Sequence, residues 1–133
     1  MSDSNLKTVK SVYAAYESGE VDAVFAALGE DIVWTNPYPA HVPLAGSFEG
    51  HAGFRRFLGT IREATQPLAF EVRDYVAQGD TVVVLGWERA IARPTGRVYE
   101  NPWVHVWTLR EGKARSVRVH GDTAAVGAAF QRE

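Results

Sequence analysis

Apolar residues recur at three- and four-residue steps in Leu6, Val9, Val12, Tyr13 and Tyr16, the spacing of one face of a helix. Asp3, Ser4 and Asn5 stand before this run as caps, and Gly19 can end it in a left-handed conformation. Val21, Val24, Phe25 and Leu28 repeat the pattern in a shorter segment stopped by Gly29, so a helical hairpin is expected to open the chain. From Asp31 to Asn36 the period changes to two, with Ile32, Trp34 and Asn36 on one face and Val33 and Thr35 on the other, until Pro37 ends the strand. Residues 37–50 hold Pro37, Pro39, Pro43, Gly46 and Gly50, which predicts an irregular loop over a cavity mouth, with Tyr38 and Phe48 as its aromatic residues. Phe54, Phe57, Leu58 and Ile61 return to helical spacing and predict a third helix from His51 to Ala64.

After Pro67 the period is two again: Phe70, Val72, Asp74 and Val76 alternate with Glu71, Arg73 and Tyr75. Gln78-Gly79-Asp80, Arg93-Pro94-Thr95-Gly96 and Arg110-Glu111-Gly112-Lys113 punctuate the remainder into strands at Thr81–Ala92, Val98–Leu109 and Ala114–Val119. Four consecutive strands of this kind make an antiparallel meander. Asp122 or Thr123 can then cap a short Ala-rich helix ending near Phe130. Helices segregated from antiparallel strands define the α+β class, in one domain over residues 1–133.

Composition narrows the partners. With 14 Lys and Arg, scattered, against 16 Asp and Glu, there is no electrostatic footprint for nucleic acid or an anionic membrane. The absence of cysteine excludes disulfides and thiolate chemistry, and the polar N-terminus has neither a signal-peptide core nor a membrane span, which leads us to expect a cytoplasmic protein. Four Trp are more ring surface than a core of this size requires, and point to a pocket wall, an oligomer interface or both. The strand at residues 98–109 is apolar on both faces, with Trp103, Trp107 and Leu109 on one and Val104 and Val106 on the other. Helices cover one face of a curved sheet, so a second subunit is the economical cover for the other and a homodimer is expected.

The chemistry concentrates in Asn101-Pro102-Trp103-Val104-His105-Val106-Trp107 and, across a turn, Val117-Arg118-Val119-His120-Gly121-Asp122. An imidazole and a carboxylate in apolar company have shifted protonation, which serves proton transfer. Plain structural roles stand beside this: Asp122 as the cap of the last helix, His105 as a hydrogen-bonded core histidine. By strand alternation Asp122, His120 and Arg118 share a face, so Asp122 reaches an apolar cavity only through a bend near Gly121. Glu88, Arg89, Arg97 and Glu100 read as a solvated cross-strand ladder without chemistry. Four His without clustered spacing predict no metal site, and no phosphate loop, nucleophile elbow or dinucleotide fingerprint is present, so no cofactor is expected.

The chain from Val9 to Phe130 resembles the NTF2-like superfamily, in its SnoaL-like and ketosteroid-isomerase-like branch. The resemblance is carried by Val9-Lys10-Ser11-Val12-Tyr13-Ala14-Ala15-Tyr16-Glu17-Ser18-Gly19, by Glu30-Asp31-Ile32-Val33-Trp34-Thr35-Asn36-Pro37, by Gly50-His51-Ala52-Gly53-Phe54, and by Trp103-Val104-His105-Val106-Trp107 with its Gly112-Lys113 turn. It implies a cone: a strongly curved, mostly antiparallel sheet whose concave face is covered by the N-terminal helices. Where steroid isomerases carry their aspartate base this chain has Asn36, an amide that cannot abstract a proton; their oxyanion tyrosine falls at Val12, beside Tyr13, and their oxyanion acid near His105. SnoaL-like cyclases are the nearer match, with a histidine on the penultimate strand and an aspartate at the end of the last, which implies His105 and Asp122, or His120 if the register slips. Trp34, Asn36, Tyr38, Trp87 and Trp103 are the candidate lining residues. The expected function is cofactor-free acid–base chemistry by Asp122 and His105 on a small, largely apolar carbonyl or polycyclic compound. The alternative is a non-catalytic ligand-binding or dimerisation module, favoured by Asn36.

Overall fold

The structure is a computed structural model that describes residues 2–132. Helices α1 (Ser2–Ser18) and α2 (Val21–Ala26) form the opening hairpin. They lead into β1 (Leu28–Asn36), a short β2 (Gly46–Glu49), helix α3 (Gly50–Ala64) and the strands β3 (Thr65–Gln78), β4 (Thr81–Ala92), β5 (Arg97–Arg110) and β6 (Lys113–His120), before the closing helix α4 (Thr123–Phe130). The strands form one sheet in the order β2-β1-β6-β5-β4-β3. β3 to β6 pair antiparallel in sequence as the expected meander, and the β1–β6 pair is the parallel one. Among the described residues no helix is long and apolar enough to cross a membrane.

Several boundaries differ from those read off the chain. Asp3, Ser4 and Asn5 lie inside α1 rather than ahead of it, because tertiary bonds recruit the first turn: Ser2 Oγ accepts from Gly79 N at 2.8 Å, and buried Asn5 donates from Nδ2 to Gly79 O at 3.1 Å. Gly29 lies in β1 instead of ending a helix, since Leu28 already pairs with Ala114. The loop over 37–50 contains a strand, β2, paired with Val33 to Asn36. Its glycines bracket it instead of breaking it: Gly46 and Gly50 take φ of 94° and 70°, turning the chain into and out of the pairing. β3 starts before Pro67, and a proline is tolerated there because β3 is a sheet edge with no outer partner to lose.

Alternation along the strands divides the sheet. Tyr99, Asn101, Trp103, His105, Trp107 and Leu109 of β5, Val82 and Val84 of β4, and Val117 and Val119 of β6 are buried on the concave face. The helices cover this face; Val9, Val12 and Tyr13 of α1 and Phe54 and Phe57 of α3 are buried in the same core. α4 closes one end, packing Phe130 against Tyr99 at 6.0 Å between ring centroids.

Candidate functional site

Between the concave face and helices α1 and α3 lies a cavity of about 220 Å³. Its walls are mainly apolar and aromatic: Tyr13 and Tyr16 from α1, Trp34 from β1, Phe54 and Phe57 from α3, Phe70 from β3 and Trp103 and Trp107 from β5. His105 and Glu88 are the imidazole and the carboxylate that line it.

His105 is held by rings on several sides. Its ring stacks on Trp103 with centroids 4.0 Å apart, meets the edge of Trp34 at 5.1 Å and lies 5.9 Å from Tyr13. Tyr13 Oη sits 2.6 Å from His105 Nδ1 and accepts from Trp107 Nε1 at 2.9 Å. The phenol oxygen has a second lone pair, but Nδ1 is the one acceptor for the buried phenol proton among the described residues, so the hydroxyl donates to Nδ1. This chain of bonds puts the imidazole proton on Nε2, which has no protein partner among the described residues. Burial lowers the His105 pKa to about 3, so the ring is neutral at physiological pH. The cavity therefore holds a neutral N–H donor, oriented from behind by Tyr13 and Trp107. Trp103 Nε1 has no partner among the described residues and is buried away from the cavity space.

Glu88 alternates with Ala90 and Val84 on β4, so it points inward rather than joining a surface ladder. Its Oε2 accepts from Asn101 Nδ2 at 2.8 Å, and the same nitrogen donates to Tyr38 Oη at 2.9 Å. Asn101 is fully buried and its oxygen takes Asp122 N at 2.7 Å, which fixes the amide's orientation. Burial raises the Glu88 pKa, partly opposed by the Asn101 bond, and raises that of Tyr38 further still with help from the Glu88 charge.

Of the residues singled out from the sequence, Tyr13, Trp34, Asn36, Tyr38, Trp103 and His105 line the cavity, and Trp87, His120 and Asp122 do not. Trp87 is on the outer face, opposite in parity to Glu88, with the Arg73 guanidinium 5.3 Å from its ring. His120 pairs with half-buried Val104 and is exposed on that outer side. Asp122 is the cap of α4: its Oδ1 accepts from Ala125 N at 2.9 Å and the residue is exposed. The structure does not bring Asp122 to His105. Asn36 spends its amide on the frame, accepting from Trp34 Nε1 at 3.0 Å and donating to Leu44 O at 2.8 Å, which straps the loop after β1 across the cavity. Glu88 and Asn101 are site residues that the sequence reading misses, although counting by twos from Val82 places Glu88 inward.

Comparison with known proteins agrees with this geometry. A family model for a SnoaL-like domain matches residues 9–117. The crystal structure of an NTF2-like protein from Burkholderia xenovorans LB400 is 33% identical and superposes with a TM-score of 0.89 over 98% of each chain. An NTF2-like protein of unknown function from Burkholderia pseudomallei K96243 is 28% identical, with a TM-score of 0.82 over 99% of this chain and 100% of that one. TerC, co-crystallized with polyporic acid, is 26% identical, with a TM-score of 0.78 over 97% of this chain and 99% of that one. A search of curated proteins gives no match. With the family match running from the middle of α1 into β6, the chain belongs to the SnoaL-like family and has the NTF2-like fold.

Proposed function

We propose that the chain binds a small, largely apolar carbonyl compound whose oxygen accepts a hydrogen bond from His105 Nε2–H. The observation that carries this reading is the neutral, buried imidazole facing an aromatic cavity, with its other nitrogen tied to Tyr13 at 2.6 Å. A fixed neutral donor in an apolar site stabilises the charge that develops on a carbonyl oxygen when water or a buffer base removes the α-proton, without reorganising at that moment. Polyporic acid in TerC is in keeping with a small organic ligand on this fold.

A non-catalytic binding role is the second reading. It is favoured by the frame bonds of Asn36 and the capping bond of Asp122, which leave neither group to act as a base beside His105.

Exchange of α-protons for deuterium in a panel of cyclic aryl ketones, followed by NMR, separates the two. The expected result is exchange above buffer that falls by about 10² to 10³ in His105→Phe, the usual loss for one oxyanion donor. Asp122→Ala should cost about 1 kcal/mol of stability through its lost cap and leave exchange intact. Saturable ketone binding with no exchange would favour the binding module; no binding would overturn both.

The outer face supports a homodimer. Val76 and Leu85 are 56% and 39% exposed, and Val104 and Val106 are half-buried on the same outer face, where Leu85 pairs with Val104 and Val83 with both Val76 and Val106. An apolar patch of this kind is in keeping with a two-fold interface to a second copy of the chain. Light scattering after size exclusion is expected to give a dimer at micromolar concentration and a monomer for Leu85→Arg. A wild-type monomer would count against the pairing.

A further inference from the structure

The carboxylate in the cavity has no part in the reading so far, and its surroundings are specific. Glu88 lies opposite Asn101 in the β4–β5 register, whereas His105 lies opposite Val84. Four residues of strand separate the two positions, about 13 Å along the sheet. They are therefore different ends of one cavity.

The Glu88 end is built for hydrogen bonding. Asn101 Nδ2 has two protons and both are used, one on Glu88 Oε2 at 2.8 Å and one on Tyr38 Oη at 2.9 Å. Asn101 is itself locked by Asp122 N, so the carboxylate and the phenol are held in fixed relation by a side chain with no exposure. The fixing extends to the backbone: a Cβ on Gly121 would come within 2.7 Å of Asn101 Oδ1 and 3.2 Å of Tyr38 Oη, so the turn before Asp122 has room for glycine alone. Glu88 takes one bond on Oε2 and has none on Oε1 among the described residues. No cation among them pairs with it there, and the phenols of Tyr16, Tyr38 and Tyr99 all feel its charge. A half-buried carboxylate with a spare acceptor oxygen facing an apolar cavity takes a donor from a ligand, and that bond is a source of discrimination between ligands.

We infer that Glu88, positioned by Asn101 and flanked by Tyr38, is a second ligand-binding station that accepts a hydrogen bond from a phenolic or enolic hydroxyl at the far end of the molecule whose carbonyl meets His105. This rests on the carbonyl reading above and narrows the ligand to an extended, flat hydroxy-ketone with its two polar groups at opposite ends. Trp103, midway between the stations on β5, and Phe70 supply the aromatic wall between them.

The test uses flavone, a hydroxyflavone with its hydroxyl on the ring remote from the carbonyl, and the O-methyl ether of that hydroxyflavone. Binding is read by quenching of the cavity tryptophans. The wild-type protein should bind the hydroxyflavone at least tenfold tighter than its methyl ether. In Glu88→Gln, whose amide oxygen can still accept from Asn101 while its NH2 replaces the free acceptor oxygen, that preference should shrink to about two- to threefold with flavone affinity unchanged. In His105→Phe all three should weaken together with the preference retained. Flavone binding without any hydroxyl preference, or a preference that survives in Glu88→Gln, overturns the Glu88 station and leaves the carbonyl reading standing. Failure of all three to bind the wild-type protein overturns both. A thermal melt of Glu88→Gln at or above the wild-type midpoint establishes that a lost preference reflects binding and not unfolding.

Discussion

Acid is expected to destabilise the protein from about pH 6.5 downward through one residue, His105. The unfolded chain carries an ordinary imidazole with a pKa near 6.5, whereas burial lowers the folded value to about 3. Between these values the unfolded state binds a proton that the folded state excludes, so stability falls as pH falls, approaching a tenfold shift in the folding equilibrium per pH unit. Below about 3 the group adds nothing more. The cumulative loss, of the order of 5 kcal/mol, is a large share of the roughly 5–15 kcal/mol that holds a domain folded. Glu88 acts with the opposite sign: its raised pKa means the folded state keeps a proton that the unfolded state has lost, so its contribution declines as pH rises above about 4.5. The two partly offset each other just above about pH 4.5, and the histidine acts alone below that. Urea unfolding at a series of pH values should give a steep acid limb for the wild type, a steeper one just above about pH 4.5 for Glu88→Gln, and a flattened one for His105→Asn, in which the amide oxygen replaces Nδ1 as acceptor for Tyr13. Parallel curves for the wild type and His105→Asn would show that His105 does not set the limb.

What the chain reveals and what it hides follow from the same rule. Period two tells which residues of one strand share a face, and on β5 this is enough: Trp103, His105 and Trp107 lie together, and Val104 and Val106 lie opposite. The helical spacing of α1 is equally legible, because Val9, Val12 and Tyr13 are the residues it buries. Composition misleads where it competes with parity. Charge and the neighbouring Arg89 assign Glu88 to solvent, yet the alternation through Val82, Val84 and Ala90 turns it inward, where Asn101 compensates it. Aromatic character assigns Trp87 to the pocket, and the same alternation turns it outward under Arg73. Asp122 is a different case. Both of its readings are open in the sequence, and the bond to Ala125 N is made because the chain leaves β6 at His120 and starts α4 at Thr123, placing Asp122 at the one position where a carboxylate serves the new helix. β2 is hidden because its partner, β1, is remote enough that only the fold pairs them, and glycines at its ends imitate a loop.

Replacing Gly86 with alanine is expected to cost about 3 kcal/mol or more, an effect at the upper end for adding a single carbon to a packed interior. A Cβ at this position would lie 2.1 Å from Trp103 Cζ2, 2.4 Å from Cη2 and 2.5 Å from the backbone oxygen of Glu71. The indole rests across the bare backbone of β4, and glycine is there to admit it. Neither neighbour can yield cheaply. Trp103 is 2% exposed and stacked between Phe70 at 5.2 Å and His105 at 4.0 Å, and the Glu71 oxygen belongs to the paired backbone of β3. At about 4 °C per kcal/mol for a chain of this length, the melting temperature should drop by roughly 10 °C or more. Trp103→Phe shortens the side chain and removes the atoms that the added methyl group would strike. It should be destabilising alone and yet reduce the added cost of Gly86→Ala, leaving only the clash with Glu71. A double-mutant cycle in which the two costs simply add would show that the indole is not what excludes a side chain. Because His105 lies on the other face of the same indole, a displaced Trp103 also tilts the imidazole, so Gly86→Ala protein that still folds at low temperature should have lost carbonyl binding along with stability.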